Sequence, residues 1–290
     1  MVTPLELQKD LARVLDIKTL YFKREDLHPY GSHKGRSIPK MIDIYIADGE
    51  KRFCLSSSGN AALAAALYIN ELNAKNIEKL ELDIFVGNNI SAHKLEKLKK
   101  LATDHVRVLM KERPRQAAMQ SSQEGMCNLR QSLDDNALIG YESLAKELAE
   151  QKDIGAVFIA TSSGTTAQAL AHYFVENKIP IQVHIVQTSS CHPMVNSFDL
   201  QSIPDEKSIA DAIVDPIAFR EPFVVPLIKE TGGRGWCATN DETRTAQEFT
   251  RNHGWTDISV NSALSVAGAM QATYMGYKIN GAVVCLICGD

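Results

Sequence analysis

Lys34 is the first candidate for a catalytic residue. It lies in a short segment that contains glycine, between a predicted strand and a predicted helix. The segment reads Tyr30-Gly31-Ser32-His33-Lys34-Gly35-Arg36, and it follows a predicted strand at residues 20–27. A lysine on a turn between a strand and a helix can be partly removed from water, which frees its amine as a nucleophile or base. On these residues alone a solvated loop lysine is the simpler interpretation, since short motifs often match by chance.

A second segment, Ser57-Ser58-Gly59-Asn60, forms a predicted turn before an alanine-rich helix at residues 61–72. The N-terminus of a helix attracts anions, including carboxylates, because its first N–H groups have no partner within the helix. A serine cap followed by a tight glycine turn explains the same residues without a ligand. The segment alone does not decide between an anion site and an ordinary helix start.

The third segment, Thr161-Ser162-Ser163-Gly164-Thr165-Thr166, lies between an apolar predicted strand and a predicted helix. Small residues let the backbone approach an anion closely, and the helix dipole attracts the anion. The segment lacks the Gly-Lys-Ser/Thr of a Walker A loop. An ordinary capped turn between strand and helix is the alternative interpretation.

The last predicted strand, at residues 281–288, ends in Cys288 and contains Cys285. Residues three apart on a strand point to opposite faces, so the two thiols should diverge, and neither a metal site nor a redox pair is expected. A cysteine that fills core space is the simplest interpretation of Cys288.

Together these segments resemble the pyridoxal-phosphate (PLP) enzymes of the tryptophan-synthase-β fold, also called fold type II. Lys23-Arg24-Glu25-Asp26-Leu27 followed by Gly31-Ser32-His33-Lys34 is similar to the family's lysine segment, and residues 57–60 and 161–166 resemble its substrate loop and phosphate loop. Further segments, among them Ser91-Ala92-His93-Lys94-Leu95 and Gly140-Tyr141-Glu142-Ser143-Leu144-Ala145, are similar to threonine synthases. The resemblance covers nearly the whole chain.

The resemblance implies a role for each segment. Lys34 would carry pyridoxal 5′-phosphate as a Schiff base, and Asn60 would hydrogen-bond the 3′-oxygen of the cofactor. Cys288 would lie near the pyridine nitrogen, with the carboxylates of Asp290 as the alternative. The implied sets are Ser57, Ser58, Gly59 and Ala61 for the substrate carboxylate, and Ser162, Ser163, Gly164, Thr165 and Thr166 for the cofactor phosphate.

Several positions depart from the family pattern. Gly35 stands where threonine synthases have Asp, and Ser259-Val260 stands where they have Glu-Pro. Ser162 and Thr165 replace glycines of the phosphate loop, and Ala61 lacks a side-chain donor. These departures motivate a hypothesis of another class, a PLP-binding protein without turnover.

The elements that must position these residues alternate between strands and helices along the chain, which predicts an α/β protein with largely parallel sheets. Helices are predicted at residues 3–14 and 37–46, and residues 134–141 are predicted to be irregular. The resemblance implies two three-layer αβα domains. Residues 1–40 and 146–290 would form a large cofactor-binding domain, and residues 41–145 a smaller inserted domain that carries the substrate loop.

Composition limits the class of protein. The chain has 290 residues, 44% of them hydrophobic and 23% charged, and a net charge of −4, which is ordinary for a soluble protein and gives no indication of nucleic-acid binding. No signal peptide and no membrane span is predicted, and the scattered cysteines favour a reducing, cytoplasmic compartment. A homodimer is one possible assembly.

The sequence therefore predicts a PLP-dependent lyase that acts on a small amino acid by elimination, with replacement as a further step. The alternatives within the class are an authentic threonine synthase, which acts on O-phosphohomoserine, and a serine or threonine dehydratase. The substrate and the position of elimination stay open.

Overall fold

The computed structural model describes residues 2–75, 79–198, 206–254 and 256–289. Contacts between Cα atoms divide the chain into two compact units. Unit 1 comprises Met1–Leu27 and Tyr141–Asp290, and unit 2 comprises His28–Gly140. The predicted division, with an insertion at residues 41–145, stays a prediction, because the units are defined by contacts and not by independent folding.

The strands are β1 (Leu5–Leu7), β2 (Leu20–Arg24), β3 (Arg52–Ser56), β4 (Glu81–Gly87), β5 (Val106–Lys111), β6 (Cys127–Asn128), β7 (Ile154–Ala160), β8 (Gln182–Thr188), β9 (Gly235–Ala238) and β10 (Ala282–Ile287). The α-helices are α1 (Lys9–Val14), α2 (Lys34–Ala47), α3 (Asn60–Lys75), α4 (Ala92–Lys99), α5 (Pro114–Gln123), α6 (Asn136–Ile139), α7 (Glu142–Ala149), α8 (Thr165–Glu176), α9 (Glu221–Glu230), α10 (Asn240–His253) and α11 (Val260–Tyr274). Short 3-10 helices lie at Glu25–Leu27 and Val195–Ser197.

Unit 1 is built on a sheet with the strand order β1-β2-β10-β7-β8-β9, in which only the β1–β2 pair is antiparallel among the described strands. Alternate residues of β10 point to opposite faces, yet both Cys285 and its neighbour Val284 are fully buried. On one face α11 packs against Phe158, Cys285 and other apolar strand residues. The sheet is therefore covered on both faces, as parallel sheets require.

Unit 2 has a parallel sheet with the order β5-β4-β3-β6. Its core is formed by apolar residues of β3 and β4, such as Phe53 and Leu82, with Ile38 of α2 and Ile69 of α3. The small side chains of the alanine-rich α3 allow close packing against α2. The predicted α/β class with largely parallel sheets is confirmed.

Side-chain caps explain where two helices of unit 1, α10 and α11, begin. Thr239 and Glu242 form a capping box at the start of α10, since the Thr239 side chain accepts from the Glu242 N–H and Glu242 accepts from the Thr239 N–H. Ser259 caps α11 by accepting the N–H of Ser262 over 3.1 Å. A hydroxyl that accepts one of these first N–H groups stabilises a helix by about 1 kcal/mol.

The prediction of one helix over residues 3–14 is wrong. Leu5–Leu7 forms β1, which pairs with β2 at the edge of the sheet, with Leu5 opposite Lys23 and Leu7 opposite Tyr21. The helix α1 starts only at Lys9. The pairing supplies hydrogen-bond partners from a distant part of the chain, and the local apolar pattern does not reveal them.

Two other segments differ from the prediction, one by an additional helix and one by an earlier helix start. Residues 134–141 contain the short helix α6, which follows a turn in which the Asp134 carboxylate accepts the N–H of Asn136 over 2.9 Å. The helix predicted over residues 37–46 is α2, which begins at Lys34. The reactive lysine of the prediction is thus the first residue of a helix.

No helix of the described residues combines the length and the apolar character needed to cross a membrane. The cysteines at positions 54, 127, 191, 237, 285 and 288 are all free thiols.

Candidate active site

Lys34 is positioned by the first turn of α2. Its N–H lies 3.3 Å from the hydroxyl of Ser32, a side chain that is fully buried, and the N–H of Gly35 donates to the Ser32 carbonyl over 2.9 Å. Gly31 has φ of +78°, a conformation that glycine adopts at little cost. Lys34 as a whole is half-buried.

The segment 57–60 connects β3 to α3 in unit 2. The N–H of Gly59 lies 3.3 Å from the Ser57 hydroxyl, and its carbonyl accepts from the N–H groups of Ala62 and Leu63. The helix α3 begins at Asn60, so the donors of the turn stand at a helix N-terminus. The chemistry of an N-terminal turn with two serine hydroxyls is suited to a carboxylate.

The segment 161–166 connects β7 to α8 in unit 1. Helix α8 starts at Thr165, inside the segment, and Gly164 precedes it with φ of +85°. The hydroxyls of Ser163 and Thr165 lie 2.9 Å apart, whereas the Ser162 hydroxyl faces the backbone N–H of Asp215 at 3.4 Å. Hydroxyls and helix N–H groups are the donors that a phosphate needs.

A side chain at Gly164 would meet other side chains of the protein. A Cβ atom there would lie 2.8 Å from Met194 Cε and 2.9 Å from Val224 Cγ2. The space beside Gly164 is therefore occupied by protein side chains. The positive φ adds a backbone penalty for any other residue.

Gln187 is a residue of this region that the sequence analysis missed. It is fully buried, its Nε2 donates to the Thr161 carbonyl over 3.2 Å, and its Oε1 accepts from the N–H groups of Met194 and Val195. The side-chain amide of Gln187 thus links the start of the 161–166 segment to the backbone at Met194 and Val195. A polar residue inside the apolar run of β8 was the available signal.

Cys288 directly follows β10 and is buried, with 5% of its surface exposed. Its thiol lies 3.7 Å from the Leu286 carbonyl. Gly289 is also buried and has φ of +96°, and its carbonyl accepts from the hydroxyls of Ser259 and Ser262. Asp290, the alternative partner for the ring nitrogen, lies outside the described residues.

The strand order brings two predicted segments together at the carboxyl ends of the central strands in unit 1. Strand β10 lies between β2 and β7, and all three are parallel. The segment 161–166 follows β7 and Cys288 follows β10, so both lie at the carboxyl ends of adjacent strands. In open parallel sheets ligands bind at this edge. Unit 2 carries the remaining predicted residues, Lys34 and the segment 57–61.

The family of pyridoxal-phosphate dependent enzymes matches this chain over residues 1–289. The chain belongs to that family. A threonine synthase of the archaeon Methanosarcina acetivorans is 24% identical to it over 303 aligned positions, which cover 99% of this chain and 74% of the synthase.

Solved structures of PLP enzymes share the fold. A PLP-dependent aspartate racemase superposes with a TM-score of 0.84 and 20% identity, over 100% of this chain and 90% of the racemase. Threonine deaminase isoform 2 of Solanum lycopersicum superposes with a TM-score of 0.82 and 21% identity. The match covers 99% of this chain and 83% of the deaminase. The predicted fold type II is confirmed, and the family's cofactor is pyridoxal 5′-phosphate.

The residues present suit this cofactor. The segment 161–166 offers hydroxyls at a helix N-terminus for the phosphate, and Lys34 offers a primary amine for the aldehyde. Among the described residues, no group of three or more His, Cys, Asp or Glu side chains is arranged to hold a metal ion.

Proposed function

We propose that this chain is a PLP-dependent lyase that acts on a small amino acid by elimination at the β- or γ-carbon. The observation that carries the proposal is the buried thiol of Cys288 at the sheet edge where the 161–166 segment also lies. A thiol is a weak partner for the ring nitrogen and leaves it largely unprotonated. That state suits elimination better than reactions that need a strong electron sink.

In this proposal the cofactor is held by both polar segments and by one covalent bond. Lys34 bonds to its aldehyde carbon, and Asn60 hydrogen-bonds its 3′-oxygen. The hydroxyls and first N–H groups of residues 162–166 bind its phosphate, where the dipole of α8 favours negative charge.

The substrate carboxylate binds at the start of α3. Ser57 and Ser58 contribute hydroxyls, and Gly59 and Ala61 contribute backbone N–H groups, so the missing side-chain donor at Ala61 leaves the backbone contribution intact. This contact fixes the α-carbon relative to the amine of Lys34.

PLP, when bound to an amino acid, withdraws electrons from the α-carbon and makes its proton more acidic. The amine of Lys34 would act as the general base that accepts that α-proton. A β-substituent would leave with its bonding electrons once the α-proton is removed. A γ-substituent would leave only after a second proton, on the β-carbon, is also removed. Lys34 is thus the covalent anchor at rest and the general base during turnover.

The sequence similarity to a threonine synthase supports elimination at the γ-carbon, followed by addition of water, as the first specific reaction to test. Ammonia release from serine or threonine is the alternative lyase reaction. Racemisation is the second candidate function, because an aspartate racemase shares the fold. Gly35 and Ser259 depart from the pattern of threonine synthases. A protein that binds PLP without turnover is therefore the remaining hypothesis.

The experiment is a panel of small amino acids, including O-phosphohomoserine, serine, threonine and aspartate, incubated with the PLP-loaded protein. We expect phosphate or ammonia release that depends on Lys34, with little change in the chirality of the remaining substrate. Inversion of the substrate without release of either product would overturn the lyase proposal. An unchanged cofactor spectrum with every amino acid would favour the binding protein.

We also propose that the protein works in a reducing, cytoplasmic compartment, in keeping with its six free thiols. A homodimer is proposed as its assembly. Sedimentation of the PLP-loaded protein at several concentrations tests the assembly, and a single monomeric species throughout would exclude the dimer.

A further inference from the structure

The imidazole of His28 occupies the space beside Gly35. A Cβ atom at position 35 would lie 2.2 Å from His28 Nδ1 and 2.4 Å from His28 Cε1, far inside contact distance. His28 is buried, with 8% of its surface exposed, so the ring has little room to move aside. The glycine after Lys34, where the similar threonine synthases have Asp, therefore has a physical cause in this chain.

His28 also organises the backbone that leads to Lys34. Its Nδ1 lies 3.2 Å from the N–H of Tyr30 and accepts from it, and its carbonyl accepts from the N–H of Gly31 over 2.7 Å. Because Nδ1 is an acceptor, the neutral ring carries its proton on Nε2. One side chain thus contacts both the beginning of the turn and the first turn of α2.

Tyr30 connects this turn to α3. Its ring lies edge-on to Tyr68 with the centroids 5.7 Å apart, and its hydroxyl donates to the Glu71 carboxylate over 2.6 Å. Burial is the main cause that raises the pKa of Tyr30, so the phenol keeps its proton for this bond at neutral pH. Helix α3 begins at the segment proposed to bind the substrate carboxylate.

We propose that His28 is a positioning residue for Lys34. It sets the first turn of α2 through its contact with Gly35 and through its hydrogen bond with the Tyr30 N–H, and Lys34 is the first residue of that helix. The proposal rests on the proposed function, in which the Lys34 amine bonds to PLP. A small displacement of a reacting group slows such a step strongly.

The experiment compares Gly35→Ala, His28→Ala, His28→Asn and the double variant Gly35→Ala/His28→Ala. Alanine is favoured over glycine inside a helix, so a slower reaction or a lower Tm in Gly35→Ala reports the clash with His28. Gly87→Ala, at the end of β4, is the control for an added methyl group, because among the described residues a Cβ there would meet Pro114 Cγ alone within 4 Å, at 3.9 Å. His105→Asn controls for the histidine change.

The readouts are the rate at which PLP bonds to Lys34, the visible circular dichroism of the bound cofactor, and the Tm. We expect Gly35→Ala and His28→Ala each to slow the bond formation by roughly tenfold or more and to change the dichroism. The double variant should be no slower than His28→Ala, since removing His28 also removes the clash that slows Gly35→Ala. His28→Asn should retain most of the rate, because its amide oxygen can accept the Tyr30 N–H.

The proposal is overturned if Gly35→Ala behaves like Gly87→Ala, or if Gly35→Ala slows the bond formation as much in the His28→Ala background as in the wild type. It is equally overturned if His28→Asn and His28→Ala are the same in rate and dichroism, and this comparison decides the matter where Gly35→Ala does not fold. Wild-type protein that binds PLP elsewhere than at Lys34 would instead refute the proposed function, and with it this inference.

Discussion

The hydroxyl of Ser259 lies 2.7 Å from the carbonyl oxygen of Gly289 and donates to it, while the same oxygen atom of Ser259 accepts the N–H of Ser262. The Ser262 hydroxyl also reaches the Gly289 carbonyl, at 3.2 Å. A carbonyl has two lone pairs, so it can accept both hydroxyls. The start of α11 thereby fixes the residues that follow β10.

The double variant Ser259→Ala/Ser262→Ala should consequently make the Cys288 thiol more accessible to solvent. We expect the Cys288 thiol to be alkylated several-fold faster, as measured by mass spectrometry of the labelled peptide. Ser208→Ala, which removes a hydroxyl from another segment of unit 1, is the control. Equal alkylation rates in all three proteins would show that the two serines do not hold this end of the strand.

Borohydride reduction of the PLP-loaded protein should fix the cofactor to Lys34. In Lys34→Ala the visible absorption of the lysine-bound cofactor should be lost, because no other amine stands at the start of α2 among the described residues. Peptide mapping identifies the labelled lysine. A label on Lys23 or on another lysine would refute the central assignment.

Gly164→Val should impair cofactor retention and stability together. The valine would meet Met194 and Val224 and would have to adopt φ of +85°, and we expect a loss of roughly 2–4 kcal/mol in the free energy of unfolding. Gly276→Ala has a similar positive φ with no described atom within 4 Å, and it separates backbone strain from the clash. Normal PLP occupancy in Gly164→Val would exclude the segment as the phosphate site.

Cys288→Ser should leave the cofactor spectrum and the elimination reaction nearly unchanged, because a hydroxyl is also a weak partner for the ring nitrogen. Cys288→Asp should divert the reaction toward racemisation or transamination, since a carboxylate holds a proton on the ring by charge pairing. Chiral analysis of the products measures the change. A spectrum that responds to removal of Asp290 but not to Cys288→Ala would transfer the role to Asp290.

His184 should make the protein less stable in acid. The ring is fully buried and stacks on Phe158, and its Nδ1 accepts from the Trp236 indole N–H over 3.1 Å. Burial, together with the charge of Arg234, lowers the pKa of His184 to about 3. The unfolded chain binds this proton near pH 6.5 and the folded protein only near pH 3, so stability falls as the pH drops through that interval.

The measurement is the free energy of unfolding between pH 7 and pH 4.5 for the wild type and for His184→Asn. The wild type should lose up to about 1.4 kcal/mol more per pH unit than the variant below pH 6.5. His172→Asn, on the exposed side of α8, should follow the wild type. Parallel curves for the wild type and His184→Asn would contradict the assignment.

The sequence by itself determined the class of the fold and the segments that carry chemistry. Apolar strands alternating with helices predict a parallel α/β sheet, because that pattern depends on local periodicity. The lysine segment, the serine turn before α3 and the hydroxyl-rich start of α8 were also visible, since small residues, hydroxyls and helix starts are local features. Membership of the PLP enzyme family agrees with what these segments predicted.

Only the tertiary structure decided which residues are neighbours. Leu5–Leu7 forms a strand because it pairs with β2. Position 35 is a glycine because the His28 ring fills the space that a side chain would need. Gln187 supports the 161–166 segment through bonds to Thr161, 26 positions before it, and to Met194, seven positions after it. Each of these relationships depends on contacts between residues separated in sequence, and local propensity and periodicity contain no information about such contacts.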